Sequence, residues 1–166
     1  MSKKVLPKEF TAFPEPMILS TARDFAAASR ILRSQSGVSV PVIINAVLSL
    51  ELYLKSLHAT QIYNGDENLS ISRISKLRSN THSVHELFQN LPRDKQEWLT
   101  SLYRIFFGDR VGSSLAEDLK SFDGVFINWR YIYEGKAKTV QSGLLDELIN
   151  FFEFSCSPAS TAKFQE

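Results

Sequence analysis

Glu51, Lys55 and His58 have the types and spacing to do chemistry: on a helix of 3.6 residues per turn they fall within about 60° of one another. Their angular neighbours are Ile44, Val47 and Leu48, so a polar stripe is set into an apolar face. On a solvated rim the Glu51 and Lys55 pair is an i,i+4 contact worth roughly 0.3 to 0.5 kcal/mol. Inside a core the same charges require partners from other helices, because an unpaired buried charge is heavily penalised. Arg130 and Glu134 form a second pair, in the run Phe126-Ile127-Asn128-Trp129-Arg130-Tyr131-Ile132-Tyr133-Glu134. They read either as an ion pair at the core edge or as an Arg fork presented to a phosphate or to an acid on another helix. His85 stands inside the Ser83 to Glu86 capping box and is expected to satisfy a local hydrogen bond as a neutral core residue. His82 precedes the cap and so leaves the helix face that His85 occupies. Three His without clustered carboxylates, and a single Cys156, predict no metal site, no disulfide and no cofactor. Cys156 is expected to be packed, not nucleophilic.

These side chains need rigid elements to position them. The six Pro, at Pro7, Pro14, Pro16, Pro41, Pro92 and Pro158, leave long proline-free tracts that read as helices. Apolar residues at three- and four-residue spacing predict a first helix from Met17 to about Arg33. A second, central helix runs from near Pro41 to about Ile62, with a polar face reduced to Asn45, Ser49 and Ser56, so most of its circumference is expected to be covered. Gly65 to Thr81 reads as a long polar loop, and no strand pair is expected. Ser83 opens a short helix that Pro92 ends, and another follows to Phe107 before Gly108. Ser114 with Glu117 opens a further helix, with a break at Gly124, extending to Gly135; the last runs from about Ser142 to Cys156. The fold class is all-α: an up-and-down bundle of about five to six helices spanning 16–156, with 1–15 an N-terminal extension and 157–166 a C-terminal tail.

Composition bounds what such a bundle does. With 43% apolar residues the 166-residue chain supports one sizeable core, and a formal charge of +1 gives no overall field that would draw it onto nucleic acid or anionic lipid. Any such binding must be local. Met1 to Phe10 carries Lys3, Lys4 and Lys8 without an apolar stretch, so it does not read as a secretory signal. The longest uncharged window, Ser34 to Leu50, is broken by Gly37, Pro41 and Asn45 and reads as too short and polar to span a bilayer. A cytoplasmic domain is expected. The twelve Phe and two Trp follow helical spacing and read as core or dimer interface.

Three segments in order, Leu50-Glu51-Leu52-Tyr53-Leu54-Lys55-Ser56-Leu57, His85-Glu86-Leu87-Phe88-Gln89-Asn90-Leu91-Pro92 and Trp129-Arg130-Tyr131-Ile132-Tyr133-Glu134, resemble bacterial HEPN-domain proteins over roughly residues 32–153. The resemblance implies a dimeric helical bundle from toxin-antitoxin, RNA-processing or phage-defence systems. It also implies that Glu51, Lys55, His85, Arg130, Tyr131 and Glu134 converge. Many members are metal-independent ribonucleases whose signature is an Arg, four to six residues, then a His on the last core helix. Here Arg130 leads to Gly135, Lys136 and Ala137, none of which is a base, whereas Arg78 and His85 have six residues between them but start in the loop. The expected function is therefore an RNA- or nucleotide-binding or protein-interaction module without intrinsic catalysis. The alternatives are a ribonuclease using Arg78 with His85, or Arg130, and a structural or regulatory subunit for a cognate protein partner.

Overall fold

The computed structural model describes residues 13–35, 37, 39–63, 73–76, 81–108, 113–131, 135 and 139–164. They form an all-α bundle. Helix α1 spans Pro16–Arg33 and α2 Ser39–His58; a short antiparallel ribbon follows, β1 (Thr60–Tyr63) with β2 (Arg73–Lys76). The remaining helices are α3 (Val84–Gln89), α4 (Arg93–Phe107), α5 (Leu115–Ser121), α6 (Val125–Arg130), α7 (Ser142–Ser155) and α8 (Pro158–Thr161), closed by a 3-10 turn at Ala162–Phe164. The ribbon corrects the expectation that no strands form. It pairs Thr60 with Lys76 and Tyr63 with Arg73, so α2 stops at His58 and not near Ile62.

Local chemistry sets the helix starts. Pro16 occupies the first turn of α1, where its missing N–H costs nothing, and the Glu15 carboxylate accepts from the Ile18 N–H at 2.7 Å. The Ser83 and Ser114 hydroxyls accept from the Glu86 and Glu117 N–H groups, as the capping boxes predict. Gly124 adopts φ 73°, a left-handed conformation that turns α5 into α6 at the expected break. Helix α6 then ends at Arg130, a turn before the Gly135 stop read from the sequence, and Tyr131 leaves helical geometry at φ −114°, ψ 35°.

Helix α2 is the hub, packed against α1, α3, α6 and α7. Among the described residues it is the one helix long and apolar enough to cross a membrane, a property the sequence reading did not grant it. In the fold that apolar character is buried inside protein: Leu50, Tyr53, Leu54 and Leu57 are fully covered. Even Ser49 and Ser56 of its supposed polar face are buried, Ser56 Oγ donating to the Tyr53 carbonyl at 2.6 Å. The segment before α1 and the turn after α8 meet over α4. Phe13, Trp98 and Phe164 form an edge-to-face trio with centroids 4.8 to 5.7 Å apart, and Lys95 Nζ lies 4.0 Å from the centre of the Phe13 ring. Residues 157–164 thus pack on the bundle.

Candidate functional site

Burying α2 on nearly all sides takes Glu51 into the core, where its side chain is 3% exposed. The i,i+4 spacing brings Lys55 to it: Nζ donates to Glu51 Oε1 at 2.5 Å, and Lys55 is itself only 12% exposed. The solvated-rim reading of this pair does not hold. The same oxygen takes a second contact from outside the helix, His82 Nδ1 at 3.0 Å, whereas Glu51 Oε2 is buried and makes no hydrogen bond. His58, the third member of the stripe, faces α3 and donates from Nε2 to the Leu87 carbonyl at 2.6 Å.

His82 projects outward because of the cap beside it. Ser83 is the N-cap of α3, so His82 lies in the extended chain before the helix, and its side chain is 60% exposed. Its ring stacks on Phe126 of α6, with centroids 6.5 Å apart and planes inclined by 24°. A carboxylate accepts and does not donate, so the Glu51 contact calls for a proton on Nδ1, and in that tautomer of the uncharged ring Nε2 is the acceptor. The result is an exposed ring, oriented by a buried acid and backed by a phenyl face.

His85 belongs to a different knot. Asp123, just before the Gly124 turn, accepts from Ser83 Oγ at 2.8 Å and from the His85 N–H at 3.2 Å, while its second oxygen lies 3.9 Å from His85 Nδ1. That carboxylate ties the start of α3 to the corner between α5 and α6. Of the residues expected to converge, Glu51 and Lys55 do so, but His85 sits on Asp123 and not on Glu51. Tyr131 is exposed at the end of α6. The side chain of Arg130, and Arg78 and Glu134 altogether, lie outside the described residues.

Two residues of the site escaped the sequence reading. His82 was excluded from the helix by the Ser83 cap, which is correct, yet that exclusion is what frees it to reach Glu51. Asp123 carried one local signal, its place immediately before a glycine that breaks a helical pattern. No group of three or more His, Cys, Asp or Glu able to hold a metal ion occurs among the described residues. The fold places the chain in the class of all-α helical bundles. Comparison with protein-family models, with curated proteins and with solved structures finds no match.

Proposed function

We propose that this chain is an HEPN-like RNA-binding module, cytoplasmic and homodimeric, serving a bacterial stress or defence system without catalysis of its own. The observation that carries this reading is His82, held outward by Glu51 and stacked on Phe126. Such a ledge offers a ring face to an unstacked base and an acceptor nitrogen to a base N–H or a ribose 2′-hydroxyl, the groups by which single-stranded RNA is recognised. With Glu51 beside it and a chain charge of +1, binding rests on stacking more than on phosphate neutralisation, so its salt dependence is shallow. Fluorescence anisotropy with a labelled twelve-nucleotide single-stranded RNA tests this. His82→Ala or Phe126→Ala weakens binding by about tenfold, in line with stacking worth ~1 to 3 kcal/mol per base. Affinity unchanged in both variants refutes the assignment. Pairing of two copies finds support in Ile105, Phe106 and Phe154, exposed by 73%, 40% and 42%, with the two phenyl rings 5.7 Å apart. Sedimentation at micromolar concentration reads the mass.

A second reading is favoured by the His82 tautomer. With its proton on Nδ1, the ring has Nε2 placed to take the proton of a ribose 2′-hydroxyl as that oxygen attacks the adjacent phosphorus; the P–O5′ bond breaks, a 2′,3′-cyclic phosphate forms, and the leaving 5′-oxygen takes a proton from water. Cleavage of total RNA in EDTA, lost in His82→Ala, would replace the binding-only reading with a metal-independent ribonuclease.

A further inference from the structure

A helix ends on carbonyls that its own amides do not reach, and the last turn of α2 meets donors from two other segments there. The Ser56 carbonyl accepts from the Glu15 N–H at 2.8 Å and the Leu57 carbonyl from Lys95 Nζ of α4 at 2.8 Å. The Lys95 ammonium also faces the negative end of the α2 dipole. One aromatic cluster sets both donors. The Phe13 ring centre lies 4.0 Å from Lys95 Nζ, and the chain runs from Phe13 straight on to Glu15. Phe164 closes on Phe13 and Trp98, with ring centroids 4.8 and 5.1 Å apart. Lys163 Nζ stands 4.8 Å from the centre of the Phe164 ring. Ser157 with Ser160, Ser160 Oγ with the Phe154 carbonyl and Thr161 Oγ1 with the Ser157 carbonyl make hydrogen bonds within this segment and the end of α7. The Phe164 ring meets α4 as a phenyl group, which strands no donor or acceptor when it leaves.

We propose that residues 157–164 form a strap that sets the position of the His82 ring through Phe13, Lys95 and the last turn of α2. Phe13, Lys95 and Phe164 are then positioning residues for a side chain that none of them touches. The path is one of successive contacts. Phe164 holds Phe13 on Lys95; Lys95 and Glu15 hold the Leu57 and Ser56 carbonyls. Lys55, on that same last turn, holds Glu51 Oε1, the oxygen that His82 Nδ1 meets at 3.0 Å. With Phe164 off α4, Phe13 and Lys95 lose their backing, the turn that carries Lys55 frays, and Glu51 and His82 give up their common position. The coupling fixes where His82 stands and not what it binds, so it does not rest on the RNA-binding reading.

Amide hydrogen exchange and the His82 ring-proton shifts, both read by NMR on the full chain, test it. In Phe164→Ala the Leu57, His58 and Ala59 amides exchange about tenfold faster, the scale of one lost hydrogen bond to a charged group, while Leu148 and Ile149 of α7 keep their rates. The His82 ring protons, shifted by the stacked Phe126 face, move toward the values of an unstacked imidazole. Lys95→Met keeps the stem, removes the donor and produces the same two changes with Phe164 in place. Lys95→Arg, which keeps both a cation for Phe13 and a donor for the Leu57 carbonyl, restores the unaltered pattern. Phe164→Leu gives the same changes in smaller measure and serves where Phe164→Ala does not fold. Exchange that quickens by one common factor in every helix overturns the strap. So do His82 lines that stay in place in the folded Phe164 and Lys95→Met variants.

Discussion

Replacing Lys55 by Met tests whether the Glu51 pair is a core feature. The substitution preserves the unbranched shape of the stem and removes only the ammonium, so packing around α2 is little disturbed. Glu51, 3% exposed, then keeps one side-chain contact, the His82 imidazole at 3.0 Å, and that ring is itself 60% exposed. Breaking a buried pair by removing one partner costs about 3 to 5 kcal/mol. Lys55 retains 12% exposure and His82 retains part of the contact, so the lower end, about 3 kcal/mol, is expected. For a chain of this size each kcal/mol moves Tm by about 2 to 4 °C, giving a fall of about 6 to 12 °C. Urea titration followed by circular dichroism reads the free energy directly. The double variant Glu51→Leu with Lys55→Met recovers most of the loss, because an apolar pair replaces the stranded charge. A loss below about 1 kcal/mol for Lys55→Met, or strict additivity in the double variant, would refute the buried-pair argument.

Three further outcomes follow from the same geometry. Asp123→Ala removes the acceptor for Ser83 Oγ and the His85 N–H, loosening the start of α3; about 1 to 3 kcal/mol is lost, and hydrogen exchange quickens at the α3 amides before those of α2. Gly124→Ala places a Cβ at φ 73° and costs about 1 to 2 kcal/mol in thermal melts, whereas Gly124→Asn costs less. Burial pushes the Cys156 thiol up to about 12, so a thiol-specific reagent at pH 8 labels the native chain only at the rate of unfolding. Between the ordinary thiol range and that value the unfolded chain releases a proton that the folded one keeps, so stability falls as pH rises above about 9. Cys156→Ala flattens that fall, and an unchanged slope would show that other groups produce it.

What the sequence discloses here is what neighbours in the chain decide. Ser83 with Glu86 and Ser114 with Glu117 satisfy helix-start amides three residues away, so their caps are readable without knowing the fold. Gly124 is readable as a break for the same reason. The Glu51 and Lys55 pair is visible at i,i+4, but its burial comes from α1, α3, α6 and α7 closing round α2, which no periodicity on α2 alone reports. His82 meets Glu51 across 31 residues and His85 meets Asp123 across 38, so choosing the right imidazole required the tertiary path of the chain. The β1 and β2 ribbon was hidden because each strand has four residues and no two-residue glycine turn joins them. The helical reading past Arg130 fails at Tyr131, an aromatic residue with weak helix propensity whose backbone has left helical geometry.

The Phe13, Trp98 and Phe164 trio has a consequence for the order in which the protein is made. Synthesis proceeds at about 5 to 20 residues per second, so Phe13 waits several seconds for Trp98 and roughly 8 to 30 s for Phe164. During that interval a nascent chain can bury α1 against α2, whose partners are close in sequence, while the aromatic face of α4 stays uncovered. A chaperone that reads exposed rings therefore has its window after α1 has closed on α2 and before residue 164 arrives.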